Sequence, residues 1–83
     1  MVRNIWIELI DKHKLLVGNR IMPPDNKDFY IYFKNDSSIE VTVGKQVEIY
    51  GDFIVVVEIK DSVKFTSFYA CDDLCGIMFT KKL

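Results

Sequence analysis

The sequence has few of the residues on which catalytic and metal sites depend. It contains a single histidine, His13, in the charged segment 11–14, and two cysteines, Cys71 and Cys75, separated by three residues. A structural zinc site needs a second pair of cysteine or histidine ligands, and a nucleophilic enzyme needs a base beside its nucleophile. The composition therefore predicts a protein that is not an enzyme and that holds no metal or cofactor.

The sequence also lacks a large excess of positive or negative charge, and it lacks a long apolar run. The net charge is −1, which argues against strong non-specific binding to DNA or RNA because such binding needs a basic face. No run of about 18 apolar residues is present, so no membrane span is predicted. The four glycines are isolated, so no phosphate-binding loop is expected. No export signal is recognised, and a cytoplasmic location is therefore expected.

Apolar residues, by contrast, are plentiful. They make up 49% of the 83 residues, and aromatic residues make up 13%, which is enough to offset chain entropy by forming a core. Residues 1–83 are expected to fold as a single domain. A domain of this size buries only about 60–65% of its unfolded surface, so each large side chain contributes a sizeable share of the core.

Strands are predicted over most of the chain. The segments that alternate apolar and polar residues, or that are rich in β-favouring residues, are 29–34, 39–43, 46–50, 53–59, 63–71 and 77–80. Turn signals separate these segments, and Gly51-Asp52 is typical of a two-residue hairpin loop.

The first 22 residues fit two interpretations. Apolar residues alternate over 5–9 as in a strand, and we favour strands at about 3–10 and 15–22 because the isoleucines are β-branched. The same region also carries apolar residues at helical spacing. A helix over residues 2–16, capped by Asn4, is the alternative.

Taken together, the segments predict an all-β fold, a small antiparallel barrel or sandwich of seven or eight short strands. The alternative is an α+β fold, in which the helix at residues 2–16 packs on an antiparallel sheet.

Segment 53–59 is unusual because it is apolar on both faces. A two-residue loop pairs Tyr50 with Phe53 and Glu48 with Val55, which places Val55 on the opposite face from Ile54. A strand with one face in water should have a polar side. The second face of this strand is therefore predicted to be covered by the N-terminal segment, by the rest of a barrel or by another chain.

Segment 29–34 offers a second candidate surface, because alternation places Tyr30, Tyr32 and Lys34 on one face. Tyrosine is enriched at protein interfaces, where its ring contributes area and its hydroxyl contributes a hydrogen bond. The residues predicted to form a protein interface are Tyr30, Tyr32, Lys34, Tyr50, Phe53 and Val55.

The leading functional hypothesis is a non-enzymatic protein-interaction module, such as an adaptor, an inhibitor or an assembly subunit, that docks through a sheet face or edge. Its partner would be another protein or a second copy in a homodimer. The alternative is a single-stranded nucleic-acid binder, in which tyrosines stack on bases and basic residues contact phosphates. The residues of that alternative are Arg20, Lys27, Tyr30, Tyr32 and Lys34.

Overall fold

The computed structural model describes residues 4–81, which form one helix and eight strands. Helix α1 spans Ile5–Lys12. The strands are β1 (Leu16–Val17), β2 (Arg20–Ile21), β3 (Asp28–Phe33), β4 (Ser38–Val41), β5 (Gln46–Tyr50), β6 (Phe53–Lys60), β7 (Val63–Ala70) and β8 (Leu74–Thr80). Two 3₁₀ turns, Lys34–Asp36 and Cys71–Asp73, follow β3 and β7.

The strands form two antiparallel sheets. The larger sheet has five strands in the order β1-β2-β5-β6-β7, and the smaller has three in the order β4-β3-β8. The predicted fold of short antiparallel strands is confirmed. Because the structure also contains one short helix near the N-terminus, it fits the α+β alternative as well.

Two hairpins build the centre and one edge of the five-stranded sheet. In the β5–β6 hairpin Tyr50 lies opposite Phe53, which is the predicted register. Gly51 has φ of 56°, a left-handed conformation that glycine adopts without strain and that a two-residue hairpin turn requires. The β6–β7 hairpin turns at Asp61 and Ser62, which also have positive φ. Both turns therefore match the right-handed twist of the strands that they join.

The strand that we favoured at residues 3–10 is wrong, because α1 occupies residues 5–10 of this segment; residue 3 lies outside the described residues. Asn4 acts as the N-cap, and its side-chain oxygen accepts a hydrogen bond from the backbone N–H of Trp6 at 2.8 Å. Ile7 and Ile10 lie one turn apart and are both buried in the core. Burial of this apolar side, together with the cap, offsets the low helix propensity of isoleucine.

The helical alternative over residues 2–16 is longer than the observed helix. Its first two residues, 2 and 3, lie outside the described residues, and α1 ends at Lys12. Lys14 then has φ of 61°, which takes the backbone out of the helical conformation. The strand predicted at 15–22 is instead two strands of two residues each, β1 and β2, joined by a tight turn.

Side chains from both sheets and from α1 form one core. The ring of Phe33 on β3 stacks on the ring of Tyr69 on β7, with centroids 4.4 Å apart. This contact shows that the inner faces of the two sheets meet. The largest fully buried side chains are Phe29, Ile10, Ile21, Ile31, Ile54, Val41 and Val47.

Replacing Asn4 with alanine is expected to lower the free energy of unfolding by about 1–2 kcal/mol. The change removes both the cap on α1 and the hydrogen bond that Nδ2 donates to the carbonyl of Cys71 at 2.9 Å. Asn4→Asp keeps an acceptor at the helix N-terminus and loses only the donor, so its loss should be smaller. Urea denaturation measures both values, and an alanine variant as stable as the wild type would contradict the capping role.

Candidate interaction surface

The outer face of β6 is apolar and open to solvent. The side chains of Ile54 and Val56 point into the core, so alternation along the strand turns Phe53, Val55 and Ile59 outward. Ile59 is 72% exposed. Helix α1 contacts β8 and the core and leaves this face uncovered. The second face of β6 was predicted to be covered by the N-terminal segment, by the rest of a barrel or by another chain. Within residues 4–81, neither the N-terminal helix nor the other strands cover it.

Aromatic residues on the neighbouring strands extend this surface. Phe68 of β7 lies opposite Val55 and is 66% exposed, and Tyr50 of β5 lies opposite Phe53. The ring of Phe53 is 6.1 Å from that of Phe68, edge to face, and 6.4 Å from that of Tyr50. Three aromatic rings therefore cross three strands in one row. We call this surface the aromatic face and define it by Tyr50, Phe53, Val55, Val57, Ile59 and Phe68.

Charged and polar groups surround the aromatic face. The hydroxyl of Tyr50 donates a hydrogen bond to a carboxylate oxygen of Glu48 at 2.6 Å, and the side-chain amide of Gln46 donates to the other oxygen. Both hydrogen bonds lower the pKa of Glu48, and the one from Tyr50 has the larger effect. The hydrogen bond between Tyr50 and Glu48 also raises the pKa of Tyr50. Lys64 lies opposite Ile59 at the far corner. An apolar centre with a polar rim is the usual arrangement of a protein interface.

The structure divides the predicted protein interface between two sheets. Tyr50, Phe53 and Val55 belong to the aromatic face, as predicted. Tyr30 and Tyr32 lie on β3 in the three-stranded sheet, where their side chains point outward on the other side of the sandwich. Lys34, the remaining residue of the predicted interface, lies beyond the end of β3 in a 3₁₀ turn. The prediction that Lys34 lies on the strand, on the same face as the two tyrosines, is therefore wrong.

The tyrosines on β3 are half-buried and engaged with their own sheet. A hydrogen bond with Glu40 and the charge of that carboxylate raise the pKa of Tyr30. The hydroxyl of Tyr32 donates to the sulfur of Met78 at 3.6 Å. Both hydroxyls are therefore engaged by neighbours on their own sheet.

The residues of the nucleic-acid alternative do not form one surface. Arg20 lies on β2 in the five-stranded sheet, opposite Glu48. The amine of Lys27 lies 6.0 Å from the centre of the Phe79 ring. Because Tyr30 and Tyr32 belong to a different sheet from Arg20, and Tyr30 lies beside Glu40, the geometry does not favour a nucleic-acid site.

Phe68 is missing from the predicted interface, although the sequence contains a signal for it. A two-residue turn at Asp61-Ser62 places Val55 opposite Phe68 by counting along the two strands, and the observed register is the same. Residues that lie opposite one another point to the same side of a sheet. The second hairpin is therefore the signal that identifies Phe68 as part of the aromatic face.

A cleft of about 450 Å³ lies between the start of α1 and the turn that joins β5 to β6. It is lined in part by Asn4, Asp52, Asp72 and the buried Cys71. Desolvation raises the pKa of the Cys71 thiol, and the charges of the two aspartates add to the shift. A thiol with a raised pKa is a poor nucleophile. Within residues 4–81, no three His, Cys, Asp or Glu side chains cluster as metal ligands.

The chain matches no protein-family model, no curated protein and no solved structure. Among residues 4–81, no helix has the length and apolar character needed to cross a membrane.

Proposed function

We propose that this protein is a non-enzymatic protein-interaction module that docks the aromatic face onto a partner protein, as an adaptor, an inhibitor or an assembly subunit. The observation that carries the proposal is the row of exposed rings formed by Tyr50, Phe53 and Phe68. A few residues near the centre of an interface usually supply most of the binding energy, and aromatic side chains are enriched there.

The size of the aromatic face supports this proposal. Its six side chains leave on the order of 500 Å² exposed, which is near the upper end for the largest apolar patch on a monomer. Strand formation alone does not require apolar residues at these positions. Thr66 lies on the same face, opposite Val57, and shows that a polar residue that favours strands fits there.

Replacing Phe53 with lysine is expected to reduce capture of the partner at least tenfold, because it places a charge in the middle of the aromatic row. The control is Met78→Lys on the outer face of the three-stranded sheet. Met78 is 40% exposed and Phe53 is 44% exposed, so the two variants add the same charge at sites of similar burial. The measurement is quantitative mass spectrometry of proteins that co-purify with the wild type and with each variant.

A partner that the wild type and Met78→Lys retain, and that Phe53→Lys loses, would support the proposal. Titration of that partner against the three proteins would then give the loss as a ratio of dissociation constants. Equal capture by all three proteins, or equal loss in both variants, would contradict docking through the aromatic face.

A further inference from the structure

Strand β7 is a long and unprotected edge of the five-stranded sheet. In the part of the chain that the structure describes, it pairs with β6 along its full length and with no strand on its other side. A groove lined by Ser38 of β4 and by Phe65 and Tyr69 of β7 lies beside this edge. Phe65 is 51% exposed. Native proteins usually protect such edges with proline, bulges or several charges, whereas β7 carries Lys64 alone.

We infer that two copies of this chain join through β7 in antiparallel orientation about a two-fold axis, so that two five-stranded sheets become one sheet of ten strands. The inference goes beyond the proposed function, because it concerns the edge of the sheet and does not require the aromatic face to bind anything. Its occupant is a second copy of the chain rather than an unrelated strand, and the charges at the ends of β7 carry that choice.

The two ends of β7 carry opposite charges. Lys64 lies at its beginning, after Lys60 at the end of β6 and Asp61 in the turn, so this end carries one net positive charge, whereas Asp72 and Asp73 follow the other end and are both negative. When two identical strands pair in antiparallel fashion, the basic end of each lies beside the acidic end of the other. Parallel pairing would instead place lysines against lysines and aspartates against aspartates. This complementarity favours the antiparallel pair of copies.

Alternation of side chains restricts the register. Residues that lie opposite one another must point to the same side of the sheet, and a two-fold axis at Ser67 meets this condition near the middle of β7. It pairs Phe65 with Tyr69 of the second copy, which is a favourable aromatic pair. It also places Lys64 opposite Ala70 of the second copy, next to the Cys71–Asp73 turn that carries Asp72.

The same register brings the two aromatic faces together. Phe68 of one copy then lies diagonally across from Phe68 of the other on the outer side of the joined sheet. The row of rings would continue from one copy into the next. A dimer of this kind presents one apolar surface of twice the length.

The area available at the edge sets the expected strength of the dimer. The exposed parts of Val63, Phe65 and Phe68 amount to on the order of 300 Å², which is below the roughly 800 Å² per partner of a standard interface. Main-chain hydrogen bonds along the paired strands add to this area. We therefore expect a reversible dimer whose population rises with protein concentration.

A charge exchange across the edge tests this inference. In low salt, sedimentation equilibrium of the wild type should show a mass that rises with concentration from 9.7 kDa toward twice that value. Lys64→Glu and Asp72→Lys should each weaken association about tenfold, because each places like charges together at two symmetric contacts. The double variant should recover most of the loss. Both residues are exposed, so the fold should tolerate each change.

Recovery of association in the double variant would report a contact between residue 64 of one copy and residue 72 of the other. Lys64 and Asp72 of one chain are about 25 Å apart along the strand direction, which is too far for a direct contact. A constant monomer mass for the wild type would overturn the inference, as would a double variant that associates no better than the single ones.

Phe53→Lys separates this inference from the proposed function. The residue lies on β6, one strand in from the free edge, and its substitution leaves Lys64, Asp72 and the main chain of β7 unchanged, so this variant should still dimerise. A dimer lost in Phe53→Lys but unchanged in Lys64→Glu would mean that the aromatic faces pair with each other, which overturns the edge dimer. A monomeric wild type whose partner capture still depends on Phe53 would overturn the dimer and leave the proposed function standing.

Discussion

Replacing Phe29 with alanine is expected to lower the free energy of unfolding by about 3–5 kcal/mol. Phe29 is fully buried on β3, the middle strand of the three-stranded sheet. Its ring stacks on that of Phe79 with centroids 4.9 Å apart. The substitution would remove this contact and leave a cavity that the surrounding strands fill only in part. Because small domains are stable by only about 5–15 kcal/mol, the loss is a large fraction of the total.

The matched control is Phe68→Ala, which makes the same chemical change on the aromatic face. Phe68 is mostly exposed, so its loss should lower the stability by less than about 1 kcal/mol. Urea denaturation followed by circular dichroism and by the fluorescence of the single tryptophan, Trp6, measures both variants. Similar losses at the two positions would mean that the aromatic face is covered, which would contradict the structure and the surface proposed from it.

The strands were predictable where local pattern and turn chemistry agreed. Residues 46–50 alternate, and Gly51-Asp52 fixes the length of the loop, so the bounds of β5 and the pairing of Tyr50 with Phe53 follow from the sequence. The same logic identified strand 53–59 and its second apolar face. A hairpin needs only short-range information, because both strands and the turn that aligns them lie within about 15 residues.

The N-terminal helix was not predictable to the same degree, because two periodicities coexist in residues 5–10. The choice depends on which side chains find buried positions, and Ile7 and Ile10 do so in the core. The hydrogen bond from Asn4 to the carbonyl of Cys71 also joins the start of the helix to a turn far away in sequence. Tertiary contacts of this kind override intrinsic propensity, and they are invisible in a local pattern.

The candidate site was half predictable, for a related reason. The alternation of apolar and polar residues correctly predicted that Tyr30 and Phe53 lie on the outer faces of their sheets. It did not reveal that β3 and β6 lie in different sheets, since that depends on the long-range pairing of β3 with β8 and of β2 with β5. The tyrosines of β3 are therefore in a different sheet from Phe53, although the prediction grouped them together. Phe68 belongs to the candidate site because the register of β6 and β7 places it opposite Val55.

The two cysteines are expected to differ in reactivity by at least about 100-fold toward a thiol reagent under native conditions. Cys75 is exposed on β8, whereas Cys71 is 5% exposed within its 3₁₀ turn. The thiol of Cys71 donates a weak hydrogen bond to the carbonyl of Gly51, at 3.9 Å. Burial raises the pKa of Cys71, so the fraction of reactive thiolate is smaller there and the reagent must wait for the turn to open. Stopped-flow absorbance in the native protein and in urea gives the two rates.

Cys75→Ser isolates the slow thiol and supplies the control. Its remaining cysteine, Cys71, should react slowly in the folded protein and as fast as a free thiol in urea. Because folding raises the pKa of Cys71, its burial favours the folded state fully below the ordinary thiol pKa, and this contribution is lost as the pH rises above that value. The stability of Cys75→Ser should therefore fall more steeply in alkaline solution than that of the variant that also carries Cys71→Ser. Rapid labelling of Cys71 in the native protein would contradict the packing of this turn against the β5–β6 hairpin, which also positions Tyr50 and Phe53 of the aromatic face.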